Sequence, residues 1–197
     1  MSTTPTNVII LAVLLVLGAV AALVWAVVYR KRQSLRLRRR FGAEYNRAIQ
    51  QLGGQSQAEA ELRKREARVA KLTIRPLTAE EAARFSQAWH RLQGRFVDNP
   101  KGAVAEADKL VRELMTARGY PMGDFERRAS DISVDHPTVV DAYRAAQVIA
   151  VKDARGEADT EELRKAVVHY RELFSELLEV NAAPVAERPR HGMAVQS

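Results

Sequence analysis

Cysteine is absent from the 197 residues. That excludes disulfides and thiolate metal centres, and it removes the usual mark of an oxidising compartment. No run alternates apolar and polar residues in the β manner, and the punctuation between apolar runs is of the helix-cap kind. Glycine-rich phosphate loops are missing: Gly53 and Gly54 are not followed by Lys-Ser or Lys-Thr and do not follow a strand. No serine or threonine stands in the strand–turn–helix setting of a nucleophile elbow. The four histidines, His90, His136, His169 and His191, are scattered. His169 and Glu172 stand three apart and could share a metal, but helical diiron sites need such pairs from several helices and a second pair is missing. Catalytic residues, metal ligands and cofactors are therefore not assigned.

Charge is also absent from the first 29 residues, and the chain is organised around that gap. Residues 8–29, VIILAVLLVLGAVAALVWAVVY, contain no charge, no strong polar group and no proline. As a helix they would extend about 33 Å, enough to cross a hydrocarbon core of about 30 Å. A cleavable signal peptide would have a basic start and a shorter apolar run, whereas residues 1–7 carry no Lys or Arg. A buried core helix would rarely be apolar on every face for six turns. Trp25 and Tyr29 near one end suit the headgroup level. A transmembrane anchor is expected, with the bilayer as its first partner.

Directly behind it the balance reverses. Residues 30–47 hold eight basic side chains against one acid, Glu44. This flank orients the anchor with the basic side in the cytoplasm and the N-terminus outside, as a single-pass protein of the cell membrane. The remaining residues carry 23 basic and 23 acidic side chains, so the net charge of +7 belongs wholly to this belt. A nucleic-acid-binding domain would show its basic face on the folded body, so nucleic acid is not the expected partner. Arg30, Lys31, Arg32, Arg36, Arg38, Arg39 and Arg40 are instead candidates for contact with anionic lipid headgroups, either as a topology signal or as a sensor of lipid charge. In the sensing case the helix would bend into the interface and dip Leu35, Leu37 and Phe41 among the headgroups.

Residues 30–54 read as an amphipathic stalk ending near Gly53 and Gly54, and 55–77 as a charged helix and linker. Ala58, Leu62, Val69 and Leu72 give that helix one apolar side, as in half of a short antiparallel coiled pair. Pro76 breaks it. Residues 78–179 are expected to form one bundle of about five helices, and 180–197 a disordered tail. Thr78 and Glu81 make a capping box, and Ala82, Phe85, Trp89, Leu92 and Phe96 recur at spacings of three and four, a core stripe. Asn99 caps the next helix, with Pro100 at its first position and Gly119 past its end. Asp124 caps a short helix, FERRASDI; Asp135 and His136 cap another that begins at Pro137; Thr160 caps the last. The expected architecture is all-α: a transmembrane helix, a stalk, then the bundle.

The densest polar cluster is Arg128, Asp131, Asp135 and His136. Asp and His can be acid–base partners, but both are also ordinary cap chemistry before Pro137. The wording of FVDNPKGAVAEADKLVRELMTARGYPMGDFERRASDISVDHPTVVDAYRAAQVIA and TEELRKAVVHYRELFSELL resembles a family of bacterial single-pass membrane proteins with a C-terminal helical domain and no established activity. The likeness covers about residues 85–178, through the GYP turn, the FERRA segment and VDHP with its following YRAA. It implies a bacterial source and an all-helical module, and brings no functional residue with it. Two functions remain: a membrane-tethered, non-enzymatic adaptor presenting the bundle to a protein partner, or a small enzyme or ligand sensor using residues 120–136.

Overall fold

The computed structural model describes residues 5–178. The disordered tail expected at 180–197 lies outside them. Among the described residues the fold is all-helical, without strands: α1 (Pro5–Phe41), α2 (Ala43–Leu52), α3 (Gln55–Val69), α4 (Ala79–Arg95), α5 (Pro100–Arg118), α6 (Phe125–Asp135), α7 (Val140–Ala154) and α8 (Thr160–Leu177). The chain divides into two compact units, Met1–Lys71 with Phe125–Asp141, and Leu72–Asp124 with Ala142–Ser197. Residues 78–179 therefore do not form one bundle: α6 packs in the first unit, on α1 and α3.

In the first unit α1 runs unbroken from the apolar segment through the basic belt. One stretch among the described residues, within Ile10–Phe41, is long and apolar enough to cross a membrane, and none of its most apolar window is buried. Helix α1 stops at Gly42, whose φ of 51° and ψ of −122° suit a residue without a Cβ. Gly53 closes α2 in the left-handed region, its N–H donating to the Ile49 carbonyl at 3.0 Å. Helix α3 then folds back on α2 as an antiparallel hairpin. Phe41, Tyr45, Ala48, Ala58 and Leu62 fill the space between these helices, and α6 adds Ile132 and Val134.

In the second unit α5 packs on both α4 and α8. The Thr78–Glu81 capping box is present, and the Asn99 side chain accepts from the Gly102 N–H at 3.0 Å. Trp89 is 5% exposed and stacks on Phe174 at 4.6 Å between centroids. Tyr143 meets Tyr170 edge-on at 6.3 Å. The cap of α8 is Asp159 rather than Thr160, because the Asp159 carboxylate, one residue earlier, takes the Glu162 N–H at 2.7 Å and completes a second capping box. Helix α7 likewise starts at Val140, with Pro137 in the preceding turn.

Two local features of this unit give measurable expectations. Gly119 ends α5 with φ of 94°, and a Cβ there would be driven into the Thr73 carbonyl oxygen. Gly119→Ala is expected to destabilise by at least about 1–2 kcal/mol, the left-handed strain alone, read from denaturant unfolding of the full chain. The Arg75 guanidinium grips both Glu81 oxygens at 2.6 and 2.8 Å, and with the Thr78 N–H holds that carboxyl at about 2 against an ordinary 4.5. A depressed carboxyl stabilises the fold above its unfolded value and loses that effect as pH falls through its folded value. The melting difference between wild type and Glu81→Gln should therefore be full above pH 4.5 and vanish by about pH 2.

Candidate functional site

The functional candidates lie in the first unit, where the charge is. Its two segments carry 15 basic and 8 acidic side chains, the second unit 16 and 16. All of the net charge therefore sits on the unit that contains α1.

The last third of α1 divides by face. Leu37 and Phe41, one turn apart, are 3% and 0% exposed. They belong to the core under α1 and are not available to headgroups, which corrects the interfacial role expected of them; only Leu35 of that trio is exposed, at 46%. Helix α1 runs unbroken through the belt to Phe41. Arg40 is committed to protein. Its Nη1 meets Glu66 of α3 at 2.9 Å, its Nε donates to the Val134 carbonyl of α6 at 3.2 Å, and Asp135 lies 3.7 Å away. The Arg38 guanidinium lies over the Tyr45 ring, 5.7 Å from its centroid. By contrast, the side chains of Arg30, Lys31, Arg32, Arg36 and Arg39 have no hydrogen bond or ion pair among the described residues. Arg32, Leu35, Arg36, Arg39 and Arg40 border an open depression of about 520 Å³.

The polar cluster on α6 resolves into structural pairs. Asp131 is fully buried and takes the Arg68 guanidinium of α3 at 2.6 and 2.7 Å, with Arg127 at 3.8 Å. Asp135, one turn on, faces Arg40. The Arg128 guanidinium stands 6.0 Å from the Phe125 ring centroid. His136 is 7% exposed, and its backbone N–H closes α6 on the Ile132 carbonyl at 2.8 Å. Asp135 is thus the last residue of α6, not a cap for α7. Besides Arg127 of α6 itself, the cations that meet the two aspartates come from α3 and α1, which periodicity along the chain does not indicate.

Two further carboxylates are buried where α2 and α3 face each other. Glu44 is 1% exposed and meets Arg65 at 2.9 Å, itself 6% exposed. Glu59 accepts from the Tyr45 hydroxyl and the Gln55 amide, each at 2.9 Å. Burial opposes its charge, yet hydrogen bonds from Gln55, Ser34 and Tyr45 and the nearby Arg63 together hold its carboxyl below the ordinary value. Burial and the Glu59 contact push the Tyr45 hydroxyl up. Among the described residues no three His, Asp or Glu side chains gather as metal ligands would.

Helices α1 and α3 also face each other across a polar groove of about 660 Å³. Arg30, Gln33 and Ser34 line it from α1, and Gln55, Glu59 and Arg63 from α3. Arg63 reaches across to the Gln33 side-chain oxygen Oε1 at 3.5 Å and stands 3.9 Å from Glu59. Comparison of the chain with protein-family models, with curated proteins and with solved structures finds no match.

Proposed function

We propose that the protein is a single-pass, membrane-tethered helical adaptor without catalytic activity, whose second unit is presented to a protein partner. The observation that carries this reading is the sequence of surfaces along α1. Leu11, Leu15 and Leu23 are 61%, 68% and 66% exposed, and the same helix passes without a break into five unpaired cations. An apolar surface of that length has no place in water, and a bilayer with an anionic face covers both parts. The cationic flank then sets the body on the cytoplasmic side of the cell membrane, with Arg32, Arg36 and Arg39 toward anionic headgroups. The ion pairs of Asp131 and Asp135 count against an enzyme or ligand sensor built on residues 120–136, since both aspartates of that cluster already meet arginines.

The chain has no cysteine, so single ones can be introduced by Thr3→Cys and, separately, Ser197→Cys. In intact spheroplasts a membrane-impermeant thiol reagent is expected to label the first and spare the second. Labelling of Ser197→Cys alone would reverse the orientation, and equal labelling of both in a soluble fraction would end the membrane reading. For the partner, a photo-crosslinking residue at Val97, 83% exposed in the second unit, should give one discrete protein adduct in cells. Adducts to lipid alone, or none, would remove the adaptor reading and leave the tether.

A further inference from the structure

We propose that the groove between α1 and α3 seats the phosphodiester of one phospholipid, gripped by Arg30 and Arg63. The inference rests on α1 crossing the bilayer, and it goes beyond the diffuse attraction of the belt by naming a built site. Depth along α1 is the first argument. The apolar segment ends at Tyr29, which also borders the groove. At 1.5 Å per residue, Arg30 to Ser34 rise from about 1.5 to about 7.5 Å above it. A headgroup layer is about 5–8 Å thick on each side of the hydrocarbon. The groove therefore opens at the level of the lipid phosphates. In a helix the side chains lean toward the N-terminus, which on α1 is the membrane side, so Arg30 is tilted toward that layer.

Charge is the second argument. Two guanidiniums and one carboxylate, Glu59, border the groove. One Glu59 oxygen is shared by Tyr45 and Gln55, while Arg63 has only the two long contacts and Arg30 none. The groove thus carries one uncompensated positive charge, which a single phosphodiester neutralises with charge-assisted hydrogen bonds. Exposed Trp25 and Val28, 68% and 43%, continue the same helix into the hydrocarbon and give acyl chains an apolar surface to lie along. A glycerophospholipid with one net negative charge, such as phosphatidylglycerol, matches both the charge and the depth.

The test uses the full chain in detergent, with phosphatidylglycerol or phosphatidylcholine added, and counts lipids retained by native mass spectrometry. Wild type is expected to keep one phosphatidylglycerol in preference to phosphatidylcholine. The double variant Arg30→Gln, Arg63→Gln should retain it at least about tenfold less, since two charge-assisted contacts are lost. The triple variant Arg32→Gln, Arg36→Gln, Arg39→Gln removes more charge but none from the groove, and should lose clearly less of it than the double variant. Equal loss in both variants, or no loss in the double, would overturn the site in favour of a diffuse belt. Displacement of the lipid by inorganic phosphate at millimolar concentration would overturn the lipid as its occupant. A membrane-flotation arm separates the two readings. If wild type floats with membranes yet retains no phosphatidylglycerol, the groove proposal alone fails. If it does not float at all, the membrane reading fails and takes the groove with it.

Discussion

Trp89→Ala is expected to destabilise the second unit by about 3–5 kcal/mol, the cost of deleting a buried large aromatic. Trp89 is 5% exposed, and its ring lies on Phe174 of the facing helix. Truncation removes that stack and leaves a void between α4 and α8. For a unit of about a hundred residues, this lowers the melting midpoint by at least about 12 °C. It also takes a large share of the 5–15 kcal/mol that holds such a domain together, in round terms about a third. Far-UV circular dichroism of the full chain in detergent reads it. The chain has one other tryptophan, Trp25, 68% exposed on α1, and Trp25→Ala should leave the same transition in place. A Trp89→Ala protein melting within about 2 °C of wild type would place the ring outside the core, since even 1 kcal/mol moves the midpoint further.

The second large effect belongs to the first unit. Arg65→Met leaves the Glu44 carboxylate, 1% exposed, without the guanidinium that meets it at 2.9 Å. Removing one partner of a buried pair costs about 3–5 kcal/mol, because the remaining carboxylate stays buried without its guanidinium. Replacing both partners, Glu44→Leu with Arg65→Met, should recover most of that loss, since the charge itself has gone. Hydrogen exchange at the α2 and α3 amides of the full chain measures both. A single variant that exchanges like wild type would mean that Glu44 is reached by water. A double variant as labile as the single would shift the role of Arg65 to its other carboxylate, Glu61, at 3.4 Å.

What the sequence makes legible here is local. Thr78 with Glu81, Asn99 with Pro100, and Gly119 fall where short-range chemistry puts them, because a cap is settled within four residues. The stripe through Phe85, Trp89 and Leu92 is legible for the same reason: one helical period repeats it, and all three side chains are buried. The long apolar helix is legible from length and composition together. The candidate site is not, since its contacts join residues far apart in the chain. Arg68 and Asp131 are 63 positions apart, and Arg40 and Val134 are 94 apart. Nothing in the spacing of charges on α3 distinguishes Glu59 and Arg65, which are buried, from Arg63 and Lys64, which are less so. A charged helix face looks solvated until the carboxylates and guanidiniums of its neighbours are known. The same blindness placed α6 in the C-terminal bundle, because its apolar face is as short as that of any peripheral helix.

The placement of α6 has a consequence for synthesis. The first unit is interrupted: its opening segment ends at Lys71 and its closing segment runs from Phe125 to Asp141. At about 5–20 residues per second, a ribosome needs about 3–11 s to travel from one to the other. During that interval α1 to α3 are already made, while Arg40 and Arg68 wait for Asp131, Val134 and Asp135. On the proposed membrane reading, Arg40 is then held by Glu66 alone and Arg68 is without Asp131, at the stage when positive charge most directly decides which way a helix enters. Only after α6 emerges do these two arginines gain Val134, Asp135 and Asp131.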